Sequence, residues 1–323
     1  MAQKKAVEAV WELTRPRDDF WAGEYRAALD RVVLLPKPKR FRRSFYVDKA
    51  SGGQRLIVPA GEDLRLVQGV LANWIIKEFP PSSDYCYTGL GVLAAVKRHQ
   101  RSKFAVVFDL KDAFDQVTAA RITHWLQFYR PGVAEAVVTL IVDLLTINGR
   151  APQGCVSTPY VFNLVARPLD QGLEIVREEF GLNGVTRYSD NVCLSSSRPF
   201  DFEALEGQVQ RFVRGSGFAV SWSRRFADEP IVYLGTRIYD GRLSLAEEKY
   251  GEFCDRLLEA IQSPTPQIYR AQVTGIFNWA HRVCGAEIPM DLLNLLARYF
   301  GKVGRTPQPL AAILAQKRMR RMF

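Results

Sequence analysis

The run Phe104-Ala105-Val106-Val107-Phe108 constrains this chain more than any other segment. Five consecutive apolar residues rich in Val and Phe read as a buried strand, not as a half-exposed one in which polar residues alternate. The run ends on Asp109, so it delivers a carboxylate at its C-terminal end. The flanking segments are helical in pattern. Over residues 63–79 the spacing of Leu64, Val67, Val70, Leu71 and Trp74 predicts a helix, stopped by Pro80 and Pro81. Thr118 is expected to be the N-cap of a helix carrying Ile122, Trp125 and Leu126, and a further helix begins at Ser157 or Thr158 with Pro159 in its first turn. Pro168 is expected to bend that helix.

Residues 184–188 and 192–194 read as a strand pair, with Asp190 and Asn191 at the tight turn between them. A helix over 202–213, a strand over 231–238 and a nearly all-helical stretch over 246–300 complete an α+β layer pattern. Upstream, Val7, Val10, Trp11, Leu13, Tyr25, Leu29, Val32 and Val33 recur at helical spacing, which predicts an N-terminal helical layer over 5–35. Gly52 and Gly53 mark a turn before a short strand that ends at Pro59, consistent with a hairpin. Residues 37–49 pack six basic side chains around Phe41, Phe45 and Tyr46, a mixture suited to phosphate contact and base stacking.

The chain has 323 residues, and 44 Lys plus Arg against 34 Asp plus Glu leave a net charge of +10, which favours polyanionic partners. Its five cysteines, Cys86, Cys155, Cys193, Cys254 and Cys284, form no C-x-x-C pair, which argues against a zinc site or a disulfide framework. No run is long enough to span a bilayer and the N-terminal stretch has no apolar signal core, so a reducing cytoplasm is the expected compartment.

Asp109 and Asp190 stand 81 positions apart, one at a strand end and one in a hairpin turn. Two carboxylates on adjacent strand ends hold hard divalent cations while leaving coordination sites open to phosphate and water. The segments around them form a richer pattern. Asp109 is followed by Phe114, then comes Pro152-Gln153-Gly154-Cys155-Val156-Ser157-Thr158-Pro159, then Tyr188-Ser189-Asp190-Asn191. In order and spacing this resembles the reverse transcriptase family, whose palm carries an Asp with an aromatic five positions on, a P-Q-G-x-x-S-P-like segment and Y-x-D-D.

The resemblance implies a right-hand polymerase fold of the α+β class. Its expected parts are an N-terminal helical extension over 1–35, fingers and the start of the palm over 36–108, the palm with inserted fingers helices over 109–240, and a helical thumb with a basic tail over 241–323. It further implies RNA-templated DNA synthesis by two-metal phosphoryl transfer, with two Mg²⁺ ions, or Mn²⁺ in their place. Asp109, Asp190 and Asn191 would be the catalytic residues, and the metal contacts would come from Asp109, Asp190 and the Leu110 carbonyl. Phe114 would lie beneath the incoming sugar and exclude a 2′-hydroxyl. Gln153 and Gly154 would line the nucleotide and template contact, the glycine because backbone must approach the substrate closely. Arg55 would hold the triphosphate, Arg224 would add electrostatic support, and Tyr233-Leu234-Gly235 would form the primer grip. Six basic residues and no acidic one over 301–323 suit a duplex backbone.

The matching region covers roughly residues 40–300, a layout without an RNase H or integrase domain, most similar to bacterial retron and antiphage-defence reverse transcriptases. The 64–76 segment, YTGL at 87–90 and the stretch ending at His99 resemble retron spacing, whereas Ala95 replaces a characteristic Asn and Tyr233-Leu234-Gly235 replaces Val-Thr-Gly. A retron-like or defence-associated relative is therefore expected. Its partners would be an RNA template, a DNA or RNA primer and dNTPs, with a dedicated non-coding RNA and a second protein in a ribonucleoprotein. Asn191 stands where the family has a second Asp, which removes a negative charge from the cations. Template-independent DNA synthesis and a polymerase-dead RNA-binding scaffold are the competing readings, and a viral RNA-dependent RNA polymerase is disfavoured by Phe114 and by the Gln153-Gly154 segment.

Overall fold

The computed structural model describes residues 2–48, 52–81, 91–304 and 306–319. The N-terminal layer consists of α1 (Ala2–Thr14) and α2 (Asp19–Leu34). A hairpin, β1 (Phe45–Asp48) and β2 (Gln54–Ile57), follows, then α3 (Glu62–Glu78) and α4 (Gly91–Arg98). The central part runs β3 (Phe104–Leu110), α5 (Ala119–Tyr129), α6 (Glu135–Leu145), α7 (Thr158–Glu179), β4 (Gly184–Tyr188), β5 (Asn191–Ser196), α8 (Phe202–Gly215) and β6 (Val220–Ala227). It continues through β7 (Ile231–Tyr233), β8 (Thr236–Tyr239) and β9 (Arg242–Leu245) into α9 (Glu247–Gln262), α10 (Arg270–Cys284), α11 (Met290–Val303) and α12 (Gln308–Met319).

Strand β3 is buried as its composition requires, and it lies inside an antiparallel four-stranded sheet of order β4-β5-β3-β6. Alternate β3 side chains serve different layers. Val106, Phe108 and Leu110 join the large core under α3, α5, α6, α7 and α8, while Ala105 and Val107 pack with Cys193, Phe226, Ile231, Tyr233 and Ile238 beneath the three-stranded sheet β7-β8-β9. The helices α9 to α12 close a separate core around Leu257, Phe277, Leu296 and Phe300. This mixed architecture agrees with the expected α+β class.

Several local expectations hold. Thr118 caps α5 by accepting from the Arg121 N–H, and α7 starts at Thr158 with Ser157 at its N-cap. Helix α7 continues through Pro168. The expected strand over 231–238 is instead two strands, because Leu234 (φ 49°) and Gly235 (φ 72°) make a left-handed two-residue turn, the geometry of a type I′ hairpin. Helices α4 and α6 and strand β6 were not expected. The segment 87–90, Cys86 and part of the basic tail, including Arg305, Arg320 and Arg321, lie outside the described residues.

Part of the basic 37–49 segment is structural. Lys37 and Arg40 both bind Asp143 on α6, at 2.7 and 2.6 Å, and Arg40 also donates to the Leu35 carbonyl. Those two cations tie this segment to the core through Asp143. Lys302 likewise donates to the Ile261 and Ser263 carbonyls at the C-terminal end of α9.

Candidate active site

The two carboxylates meet because β3 and β5 pair with Asp109 opposite Asn191. Asp190 is held one step away in the β4–β5 turn, where the Leu110 N–H donates to the Asp190 carbonyl at 2.9 Å. The turn itself differs from expectation. Its two residues are Ser189 and Asp190, and Asn191 is already the first residue of β5, paired with Tyr188. Ser189 takes the left-handed conformation (φ 60°) that a two-residue hairpin needs. The Asn191 side-chain amide donates to Asp190 Oδ1 at 3.0 Å. A second carboxylate at 191 would repel Asp190; this amide orients it.

Asp109 accepts from the Ser221 hydroxyl at 2.8 Å, across a register shift between β3 and β6. Burial and the neighbouring Asp190 charge push its carboxyl up to about 6, against smaller opposing effects of the Ser221 hydrogen bond and the Arg55 charge. Among the described residues neither Asp109 nor Asp190 is in an ion pair, and no group of three or more His, Cys, Asp or Glu gathers anywhere. A half-buried, mutually repelling pair of hard oxygen donors that no described cation pairs with directly fits divalent cations, with the remaining ligands left to backbone and substrate oxygens. Leu110, with a buried side chain, contributes only main-chain atoms at this place.

A cavity of about 590 Å³ is lined by Arg42, Arg55, Arg65, Phe114, Gln153, Gly154 and Tyr160 among others; neither carboxylate lines it, and Arg55 links it to Asp109 through its charge. Four expected nucleotide-binding residues, Arg55, Phe114, Gln153 and Gly154, therefore share one wall system. Arg55 lies on β2 of the exposed hairpin, and its charge reaches Asp109. Phe114 packs on Phe162 of α7, with ring centroids 5.1 Å apart. The Gln153 carbonyl accepts from the Val58 N–H at 2.7 Å, and the Thr158 hydroxyl returns to the Pro152 carbonyl at 2.6 Å. Ser157 Oγ, buried at the head of α7, has no hydrogen-bond partner among the described residues.

The structure supplies a physical reason for Gly154 within the protein itself. Its φ is +100°, and a Cβ there would lie 2.6 Å from Ile57 Cγ2, so the close approach is made by the protein's own hairpin. Gly154→Ala is expected to cost about 1–3 kcal/mol in urea unfolding. Adding Ile57→Ala should relieve the clash and leave the backbone strain; a Gly154→Ala protein as stable as the parent would refute both terms.

Arg224 is exposed on β6, opposite Val107, with its guanidinium 4.9 Å from the Phe226 ring centroid. The Tyr233-Leu234-Gly235 hairpin is present, yet Tyr233 is 1% exposed and points inward, so its ring grips no primer. Its hydroxyl accepts from Thr186 and donates to the Asn191 carbonyl at 3.3 Å, steadying the turn from behind. Thr186 in turn meets His99, whose ring bridges Thr186 (2.7 Å) and Ser195 (2.6 Å). Burial presses the His99 pKa down to about 3, with the Arg98 charge adding to this, so the ring is neutral.

Sequence reasoning missed two things. Trp222, half exposed, is the register partner of Asp109 and stands beside it on the same face. Arg187, on β4, is buried with Asp170 of α7. An Arg inside an otherwise uncharged strand and an Asp on the buried side of a helix were the available signals.

The sequence matches a family model described as reverse transcriptase (RNA-dependent DNA polymerase) over residues 47–238, more than half of the chain. It is 25% identical over 198 residues to the Retron Mx65 reverse transcriptase of Myxococcus xanthus, covering 55% of this chain and 46% of that one. It is 26% identical over 235 residues to the Retron Ec86 reverse transcriptase of Escherichia coli, covering 70% and 72%. The chain thus spans about half the length of the Myxococcus relative. Among the described residues no helix is long and apolar enough to cross a membrane.

Proposed function

Because this chain belongs to the reverse transcriptase (RNA-dependent DNA polymerase) family, we propose that it extends a primer with deoxynucleotides on an RNA template. The observation that carries this reading is the Asp109–Asp190 pair, set in register by β3 and β5, together with the cavity of Arg55, Phe114 and Gln153, whose Arg55 charge acts on Asp109. Divalent cations, Mg²⁺ or Mn²⁺, would be held by Asp109, Asp190 and the Leu110 carbonyl, and would supply charge neutralisation of the triphosphate and activation of the primer hydroxyl. Arg55 binds phosphate oxygens from the hairpin side, and its guanidinium fork suits them. Phe114 presents its ring to the sugar and leaves no room for a 2′-hydroxyl. Ser221 keeps Asp109 turned toward its partner, and Asn191 does the same for Asp190. Leu234 and Gly235 take the primer-grip role, which Tyr233 supports from beneath, and Arg224 adds positive charge at the sheet face.

The retron names of the relatives support a dedicated non-coding RNA as template; a ribonucleoprotein with a second protein and an antiphage role complete the proposal. The part boundaries are read as 1–35, 36–108, 109–240 and 241–323, the last a thumb over the primer–template duplex. Nucleic acid copurified with the protein should contain one abundant RNA and DNA complementary to it, the DNA missing from Asp190→Ala. DNA that matches no bound RNA would instead establish template-independent synthesis. RNA without any Asp190-dependent DNA would leave a scaffold.

Asn191→Asp adds a charge next to Asp190 and deletes the amide that orients it. Half-maximal incorporation should then need about fivefold less Mg²⁺, as an extra charge worth about 1 kcal/mol implies. An unchanged Mg²⁺ titration would show that position 191 does not face the cations.

A further inference from the structure

A buried polar cluster lies under the Asp190 turn, and none of its members lines the cavity. Arg187 is 1% exposed, and its Nε and Nη2 donate to the two carboxylate oxygens of Asp170 at 2.6 and 2.8 Å. Its Nη1 donates to Asn163 Oδ1 at 3.1 Å and to the Ser189 carbonyl at 3.0 Å. Its Cζ stands 5.2 Å from the centroid of Phe162, the ring on which Phe114 rests. Asp170 and Asn163 are seven residues apart on α7, two turns along one face, so the helix offers the guanidinium a fixed two-point socket.

One planar group therefore contacts two supports at once. It holds the carbonyl just before Asp190, on a residue whose positive φ is otherwise unfavourable. It also backs the ring that carries Phe114. The Asn163, Asp170 and Ser189 contacts fix the guanidinium plane, and a tilt of that plane would move both supports together.

Resting on the polymerase reading above, we propose that Arg187 is a positioning residue for sugar selection: through Phe162 it fixes Phe114 relative to Asp190, so 2′-hydroxyl exclusion and turnover depend on one buried guanidinium. Arg187 contacts neither nucleotide nor cation. A purely structural arginine would, when weakened, lower the fraction of active protein and leave the selectivity of the remainder untouched.

The test is single-nucleotide incorporation with matched dNTP and rNTP for wild type, Arg187→Lys, Phe114→Ala and the double variant, each checked by thermal melting. Lysine keeps the charge for Asp170 and loses the fork. Arg187→Lys should reduce the dNTP-over-rNTP ratio of kcat/KM at least tenfold and lower kcat for the dNTP, and it should reduce the ratio no further once Phe114 is alanine. Wild-type selectivity in Arg187→Lys, or additive losses in the double variant, would overturn the inference. If Arg187→Lys does not fold, Phe162→Leu decides: it removes the ring contact, and unchanged selectivity there would overturn the inference as well. A wild type with no incorporation at all, on its copurified RNA and with Mn²⁺ supplied, would defeat the polymerase reading itself and this inference with it.

Discussion

Asp109→Asn should abolish incorporation, by at least about 10³-fold in kcat, while raising the melting temperature of the metal-free protein at pH 8. The first effect follows from charge. The amide keeps the shape and the Ser221 contact, yet it removes half of the carboxylate pair to which divalent cations would bind, and losses of that size accompany removal of a preorganised charged group. The second follows from the same crowding that makes the site useful. Burial and Asp190 hold the Asp109 carboxyl at about 6, above its ordinary 3.8. A carboxyl raised on folding binds its proton more tightly in the native state, so stability is full below about pH 4 and falls as pH climbs toward and through 6. The shift corresponds to about 3 kcal/mol before screening, and for a half-exposed group about 1 kcal/mol is the reasonable share. Melting curves with a chelator from pH 4 to 8 should show wild type losing ground to Asp109→Asn only in the upper range. Equal curves at pH 8, or a variant that still incorporates nucleotides, would remove Asp109 from the role assigned to it.

Arg187→Met and Asp170→Leu should each cost about 3–5 kcal/mol in urea unfolding, and the double variant should recover most of that loss. Each single change strands the other charge inside the core. Asp170 shows how finely the pair is balanced: burial raises its pKa despite the facing guanidinium, so desolvation outweighs the attraction. An apolar pair of similar volume pays no such desolvation, which is why the double variant regains stability. The four unfolding curves form a cycle, and additive losses would show that the two residues do not act as a pair. The refolded double variant also offers a contrast with the selectivity test, since it restores packing but keeps no hydrogen bond to Ser189.

Other parts of the molecule show where local sequence sufficed. Thr118 and the spacing of Leu64, Val67 and Leu71 placed helices to within a residue or two, because capping and the 3.6-residue period are local properties. Helix α6 escaped notice because its apolar residues run nearly all round it, as expected of a helix packed on many sides, and so give no clear stripe. Strand β6 was missed for the opposite reason. Its SWSRR stretch is exposed and polar, and only pairing with β3 makes it a strand.

The sequence by itself determined the buried strand that ends on Asp109, the order of the motif-bearing segments and their resemblance to a known polymerase family, since composition, period and motif spacing are carried by neighbours along the chain. Only the tertiary structure decided that Ser189 and not Asn191 completes the turn, that Gly154 yields space to Ile57, that Tyr233 faces inward, and that Arg187 lies beneath both Ser189 and Phe162. Those facts depend on register and on contacts between residues far apart in sequence, such as Gly154 with Ile57 and Asp190 with Leu110, and a strand's side chains change face with every one-residue step of that register.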